Sequence, residues 1–410
     1  IMPSLVGSEM CIRDSDMSAR PFVSDEQRRT RLLRRHRLAT ETRAGTVVEA
    51  ADAMVGLHAT TPSTVYLSAW ARVAGFTPDA MSAALYDDRT LIKQLAMRRT
   101  LFVFPRPVLA DAVGAIGRRV CASERTNMLR DLRRSDDFDD PEGWIDAASA
   151  AVLDELSDGS ALTSSQLRDR LPALDGYVTY GVGTSWEART PMGPRVLNMM
   201  SAAGEIVRGP NGGGWHVSRP SWALMSAWLG EPLPDVDAAQ GHRAMIARWL
   251  RSFGPGTETD LVWWLGSTKT AVRAALADLD VVEVDLAGGR IGYLHADDVD
   301  ADDPVEPCAL LLPELDPTTM GHKEREFYVG DHVHHVFDSN GNGGQTAWWD
   351  GRIVGGWSQR EDGTVRVSLF EDVPAAARTL FDRRAEELSM WLGAVRPRPG
   401  YPAPFMRRDE

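Results

Sequence analysis

A helix, helix, helix, hairpin order recurs along this chain, and a repeat of that kind limits the fold to a string of small helical units, each closed by its own two-stranded hairpin. It is clearest between residues 144 and 217. There IDAASAAVLDEL is an amphipathic helix, and SALTSSQLRDRL opens on serine and threonine with apolar residues at 3-4 spacing. PRVLNMMSAAGEIVRGPNGGGWHVS then supplies a third helix, a glycine stop at Gly204, a strand, a PNGGG turn and a returning strand. Three helices closed by a hairpin make a winged helix, a variant of helix-turn-helix. From Gly241 the order returns as HRAMIARWLRSF, ETDLVWWLG, STKTAVRAALADL and the hairpin VVEVDLAGGRIGYL. In the first third, TVVEAADAMVGL, VYLSAWARV and PDAMSAALYDD read as helices, and LIKQLAMRRTLFVFP reads as a hairpin turning near Arg98 and Arg99. After Val305 short strands (LLLPEL, AWWDGRIVGGW, TVRVSLF) precede a final helix, AAARTLFDRRAEELSMWL.

The expected fold is therefore α+β and mainly helical. Tandem winged-helix units are placed at 17–135, 136–237 and 238–303, a β-rich C-terminal domain at 304–395 and a tail at 396–410. The opening IMPSLVGSEMCIRDSD resembles translated sequencing-adapter read-through, so residues 1–16 are expected to be an artefact and Met17 the start.

With 43% hydrophobic and 25% charged residues the chain has ordinary globular composition, which excludes disordered and fibrous classes. No run of about 18 apolar residues suggests a membrane span, and a cytoplasmic, nucleoid-associated protein is expected. Arginine outnumbers lysine heavily, as in GC-rich, actinobacterial-like genomes. Cys11, Cys121 and Cys308 form no CxxC pair, so neither a disulfide scaffold nor a thiolate zinc site is expected. The net charge of −13 argues against indiscriminate nucleic-acid binding, but its distribution matters more. Ten acids lie between Asp278 and Glu306 against one base, Arg290, and this segment is expected to face away from any phosphate. Six arginines crowd QRRTRLLRRHRL at 27–38, and further basic clusters fall at Arg98, Arg99, Arg118, Arg119, Arg130, Arg133 and Arg134. Arg28, Arg31 and Arg35 share one helical face, either a phosphate-tracking stripe or a solvated surface. Arg98 and Arg99 at a hairpin tip suit a wing that carries cations to DNA.

LLRRHRL, MVGLHATTPSTVYLSAWARVAGF, LIKQLAMRRTLFVFP, FGPGTETDLVWWLG, LLPELDPTTMGHKEREFY and AWWDGRIVGGW follow one another in an order that resembles the winged-helix DNA-binding family that includes the AlkZ and YcaQ DNA glycosylases. The resemblance spans nearly the whole chain after Met17. It implies three tandem winged helices around a concave DNA-binding surface, and an activity that unhooks crosslinks or excises bulky N-alkylated purines. The family's catalytic motif is glutamine, an apolar residue, then glutamine or aspartate, after a Gly-Leu pair. Here the matching positions read Gly56-Leu57-His58-Ala59-Thr60, so both polar slots differ and the apolar middle is kept.

A cationic N7-alkylpurine leaves as a neutral base, so catalysis must stabilise an oxocarbenium at the sugar and hold a water beneath C1′. His58 has the chemistry to orient or deprotonate that water, and Thr60 to hydrogen-bond it; alternatively both satisfy backbone groups in the turn before Pro62. Asp316 in ELDPTT is the candidate for the missing carboxylate, or else initiates an Asp-Pro turn with Thr318. His332, His334 and His335, with His322 upstream, lack a usual zinc spacing, and no metal or other cofactor is expected. Trp263 and Trp264 are adjacent on one helix, so one belongs to the core and the other is free to make a contact. NGNGG at 340–344 lacks the lysine-serine continuation of a phosphate-binding loop. The sequence thus points to a monomer acting on double-stranded DNA, alkylated DNA in the catalytic case, with a non-catalytic winged-helix DNA-binding or regulatory protein as the alternative.

Overall fold

The computed structural model describes residues 20–135 and 137–408, so the expectation for residues 1–16 lies outside the described residues. The architecture is mixed α+β. Three small three-stranded sheets are spaced along the chain, with a separate two-stranded hairpin, Tyr177–Tyr180 and Ala188–Pro191, inside the second unit, and a four-stranded sheet follows them. In the first sheet the strands run Leu57–His58, Leu101–Pro105, Leu91–Leu95 across the width, all antiparallel. The second repeats this order with Leu162–Thr163, Pro220–Leu224 and Ile206–Asn211. In both, a two-residue strand pairs with the returning arm of the hairpin. The third departs from this. Its hairpin, Val281–Leu286 and Arg290–His295, takes Phe22–Val23 from the beginning of the described chain as a parallel third strand on the outgoing arm. A two-residue strand carries too little alternation to be read from sequence.

Serine and threonine starts set the helices as their sequences suggest. Ser24 and Gln27 form a capping box for Asp25–Arg35, and Thr257 and Asp260 do so for Glu258–Leu265, each satisfying N–H groups that a helix leaves open at its start. The C-terminal sheet is an antiparallel meander of Ala309–Leu312, Thr346–Trp349, Arg352–Gln359 and Val365–Leu369. The helix Ala375–Leu392 closes the chain's last apolar layer by burying Ala377, Phe381, Ala385, Leu388 and Leu392, a stripe at 3-4 spacing. Among the described residues, no helix is long and apolar enough to cross a membrane.

One apolar cluster joins the first sheet and its helices, the helices 238–277 and the C-terminal sheet; the segment 128–222 has a second cluster of its own. A long helix passes from one to the other. It begins as Arg106–Ala112, widens into a π turn at Val113–Gly117 and continues as Arg118–Leu132, burying Val120 in the first cluster and Met128 and Leu132 in the second. Gly117 sits at the crossing because a Cβ there would lie 2.4 Å from the Ala202 carbonyl oxygen. Only a glycine lets the two backbones meet.

Candidate catalytic and nucleic-acid site

The Gly56 to Thr60 segment enters the first sheet along its edge. Gly56 is required by close approach, since a Cβ would stand 2.8 Å from the Phe104 ring and 3.1 Å from the Val103 carbonyl. Leu57 and His58 then pair with Val103 and Phe102, and Pro62 starts the helix Pro62–Arg72 in the first-turn position where its missing N–H costs nothing. Thr60 Oγ1 accepts the Leu101 N–H at 3.2 Å, leaving its own hydroxyl proton to donate outward.

His58 corrects an expectation. Its ring is 2% exposed and packs 4.8 Å from Phe102, so it does not line an open face. Burial, and then the charge of Arg98, lower its pKa to about 3, which keeps the imidazole neutral and makes it a weak base. The Thr60 N–H reaches its Nδ1 over a long 3.5 Å.

Thr60 opens onto a cavity of about 300 Å³. Leu95 and Leu101 of the first hairpin form its apolar wall, and Arg99, Glu124, Asn198 and Arg208 supply the polar groups. Four elements therefore converge: the hairpin, the helix Arg118–Leu132, the helix Gly193–Ala203 and the strand Ile206–Asn211. Arg208 donates to Asn198 Oδ1 at 3.0 Å, and burial lowers its pKa.

The hairpin tip sends its two arginines in opposite directions. Thr100 N–H closes on the Met97 carbonyl at 3.0 Å, and both central residues are left-handed, Arg98 at φ 53° and Arg99 at φ 62°. Two positive φ angles at the centre of a two-residue turn define type I′, which side chains other than Gly, Asn and Asp seldom adopt. Arg98 turns inward: its guanidinium lies 4.0 Å from the centre of the Trp263 ring, and burial, then Arg325, lower its pKa to about 10. Arg325 lies 5.0 Å from the centre of the same ring, so Trp263 is engaged with both cations and Trp264 belongs to the core. Arg99 turns outward, 58% exposed, with Nη2 2.6 Å from Glu124 Oε1. Expecting both tip arginines to reach outward was wrong for Arg98, because an aromatic ring beneath the turn claims it.

The arginine stripe is likewise inward. Arg28 stacks 3.5 Å over the Phe327 ring, and its burial lowers its pKa to about 10. Arg31, buried, donates to the Asp298 carbonyl at 3.0 Å, and Arg35 forks onto the carboxylates of Asp298 and Asp302 at 2.8 Å. The acidic segment therefore does not simply face away. Its end covers the arginine helix, and the opposite charges neutralise each other where sequence reading had kept them apart.

Asp316 is fully buried in a fork with Arg72 at 2.7 and 2.8 Å, and accepts from Ser68 Oγ at 2.6 Å and the Thr318 N–H at 2.9 Å. Burial opposes ionisation, but the Arg72 charge and these hydrogen bonds outweigh it and hold the carboxyl below its ordinary value. It has no oxygen to spare for a substrate. Thr318 accepts from Arg72 and bonds His36. His322 is sealed in an aromatic cluster; His332 meets Glu371 at 2.7 Å, and His334 and His335 lie on the short helix Val333–Val336. Among the described residues no group of three or more His, Cys, Asp or Glu is placed to hold a metal. In the NGNGG loop, Asp338 accepts the N–H groups of Asn340 and Asn342.

Glu124, Asn198 and Arg208 went unseen in the sequence. A signal for Glu124 exists: Val120, Glu124, Met128 and Leu132 recur every four residues and are all buried, so a carboxylate sits on an apolar stripe. Asn198 and Arg208 lie in a unit distant in sequence, and only the packing brings them to Thr60.

Residues 51–391 match the family described as DNA glycosylase AlkZ-like. None of the curated proteins matches the chain. Among solved structures, the Streptomyces sahachiroi DNA glycosylase AlkZ is similar with a TM-score of 0.71 and 20% identity, over 92% of this chain and 98% of that one. The second comparison concerns the fold; the first, covering most of the sequence from just before the Gly56-Leu57 pair to the last helix, shows that this chain belongs to the AlkZ-like DNA glycosylase family.

Proposed function

We propose that the chain is a monofunctional DNA glycosylase that binds double-stranded DNA as a monomer, through three tandem winged helices, and releases bulky N-alkylated purines at the Thr60 cavity. The observation that carries this reading is the cavity itself. It opens at the second polar slot of the family motif, has a volume near the lower end of the roughly 300–1,000 Å³ usual for small-molecule sites, and combines an apolar wall with a few convergent polar groups. Winged helices are supported by the shared strand order of the first two sheets and by the helices that precede each hairpin.

Chemistry at such a cavity needs an extruded nucleotide, a held water and charge stabilisation at C1′. Thr60 donates its hydroxyl proton to the water while its oxygen is fixed by the Leu101 N–H. His58 acts through Thr60 as a buried positioning residue, and Asp316 serves the fold. Arg99, with the exposed Arg133 and Arg134 at the end of the long helix, is the set of cations that meets phosphate. Incubation with duplex carrying an N7-alkylguanine, followed by alkaline cleavage at abasic sites, tests the reading: strand breaks at the lesion in clear excess of those in the same duplex without protein support it. A second reading, DNA binding without base release, is favoured by the burial of His58, and it predicts a retarded duplex with no abasic sites at any alkylated base.

A further inference from the structure

Glu124 is a carboxylate on the apolar stripe of a helix, 9% exposed, and among the described residues Arg99 is the one cation paired with it. A buried carboxylate is costly to keep unless it is fully hydrogen-bonded, as Asp316 is. Glu124 is not: its Oε1 has the nearby Arg99 charge but no well-formed hydrogen bond. Its ion pair runs to a side chain 58% exposed at the tip of a turn, and exposed pairs of this kind hold weakly. The other buried acids near the motif are committed, Asp316 to Arg72 and Glu314 to the N–H groups of Gly400 and Tyr401.

We infer that Glu124 is the catalytic carboxylate of this site, set against the positive charge that develops at C1′, and that Arg99 guards it until a DNA phosphate draws the arginine away. This rests on the glycosylase reading and gives it the anion that the His-Ala-Thr motif lacks. In the free protein Arg99 neutralises Glu124. On DNA the guanidinium exchanges a single carboxylate for the closely spaced phosphates of a polyanion, and the carboxylate is left facing the cavity beside Thr60. The C1′–N bond then breaks with its electron pair passing to the cationic purine, which departs neutral. Water oxygen bonds C1′, and the proton it loses passes to Glu124 and on to solvent. In a low-dielectric cavity a preorganised charge of this kind is worth on the order of 10²–10³ in rate.

The test uses two duplexes that differ only at one abasic position, one carrying a neutral tetrahydrofuran and the other a pyrrolidine, whose protonated nitrogen mimics the sugar cation. Wild-type protein should prefer the pyrrolidine duplex by at least about 10-fold, and Glu124→Gln, which keeps the side-chain volume, should bring the ratio near one while binding tetrahydrofuran duplex more tightly than wild type, because Arg99 no longer has to leave a carboxylate. Glu124→Asp should restore part of the preference, which a purely structural role would not do. Single-turnover base release by Glu124→Gln should fall by roughly 100-fold or more. A pyrrolidine preference that survives in Glu124→Gln overturns the assignment, as does unchanged base release. Wild-type protein that prefers the pyrrolidine duplex through Glu124 yet releases no base refutes the glycosylase reading and leaves the electrostatic assignment standing.

Discussion

Replacing Asp316 with asparagine should damage the fold and leave the chemistry alone. Arg72 and Asp316 are both completely buried, and the aspartate holds the guanidinium through two hydrogen bonds while accepting two more from Ser68 and Thr318. An asparagine keeps the shape but presents an NH₂ to one guanidinium nitrogen and leaves Arg72 as a buried charge whose remaining partners, Ser68 and Thr318, are neutral. Breaking one side of a buried pair costs about 3–5 kcal/mol. In a cooperative unit of this size, at about 2 °C per kcal/mol, Tm should fall by on the order of 6–10 °C. Because the folded carboxyl holds its proton less tightly than the unfolded one, the pair stabilises fully above the ordinary carboxylate range and is lost as pH falls below it. Asp316→Asn should therefore be most damaging near neutrality, with the gap to wild type closing in acid. Arg72→Met combined with Asp316→Leu should recover much of the loss, since an apolar pair of similar volume removes both charges. Calorimetry from pH 3 to 8 and a base-release assay at 25 °C measure both sides. A Tm within 1 °C of wild type, together with lost base release, would show that Asp316 belongs to the active site after all.

The two groups of arginines should behave differently. Arg31→Ala should lower stability by about 1–3 kcal/mol, because the carbonyls of Asp298 and Asp300 lose a buried donor while Arg35 still pairs with Asp298, and should leave the salt dependence of DNA affinity unchanged. Arg133→Ala with Arg134→Ala should leave Tm unchanged and reduce the slope of log affinity against log salt by about two. His36, His58 and His322 are all buried with pKa values held below normal, so below about pH 6.5 the unfolded state takes up protons that the folded state refuses. Urea midpoints should accordingly fall as pH drops from 7 to 5, and His58→Leu should make that fall shallower.

Periodicity and glycine punctuation located three hairpins and most helices, because amphipathic stripes and turn residues are local signals, but they missed the hairpin Tyr177–Tyr180 and Ala188–Pro191 and set the returning strand of the second unit in WHVS instead of at Pro220–Leu224. What else they miss is long-range. Phe22–Val23 joins a hairpin some 260 residues away, and two residues carry no pattern. Charge patterning misled for a related reason: arginines at 28, 31 and 35 look solvated until the acids at 298 and 302 are seen to cover them. Thr60 was legible through the family motif, and the same motif drew attention to His58, whose burial depends on Phe102 across the sheet. Asp316 was noticed as an acid in an Asp-Pro turn, but its partner Arg72 lies 244 residues earlier, beyond any local signal. Glu124 stood in plain view on an apolar stripe.

The central claim is that the Thr60 cavity removes an alkylated base from DNA. Its most direct measurement is single-turnover release of N7-alkylguanine from a defined duplex, counted both as free base and as abasic sites, by wild-type protein and by Thr60→Trp, whose indole fills the cavity mouth. The account predicts one abasic site for each base released by wild type, and loss of both from Thr60→Trp with duplex binding retained. Binding by wild type without release from any alkylated duplex, or full release by the blocked variant, would contradict it.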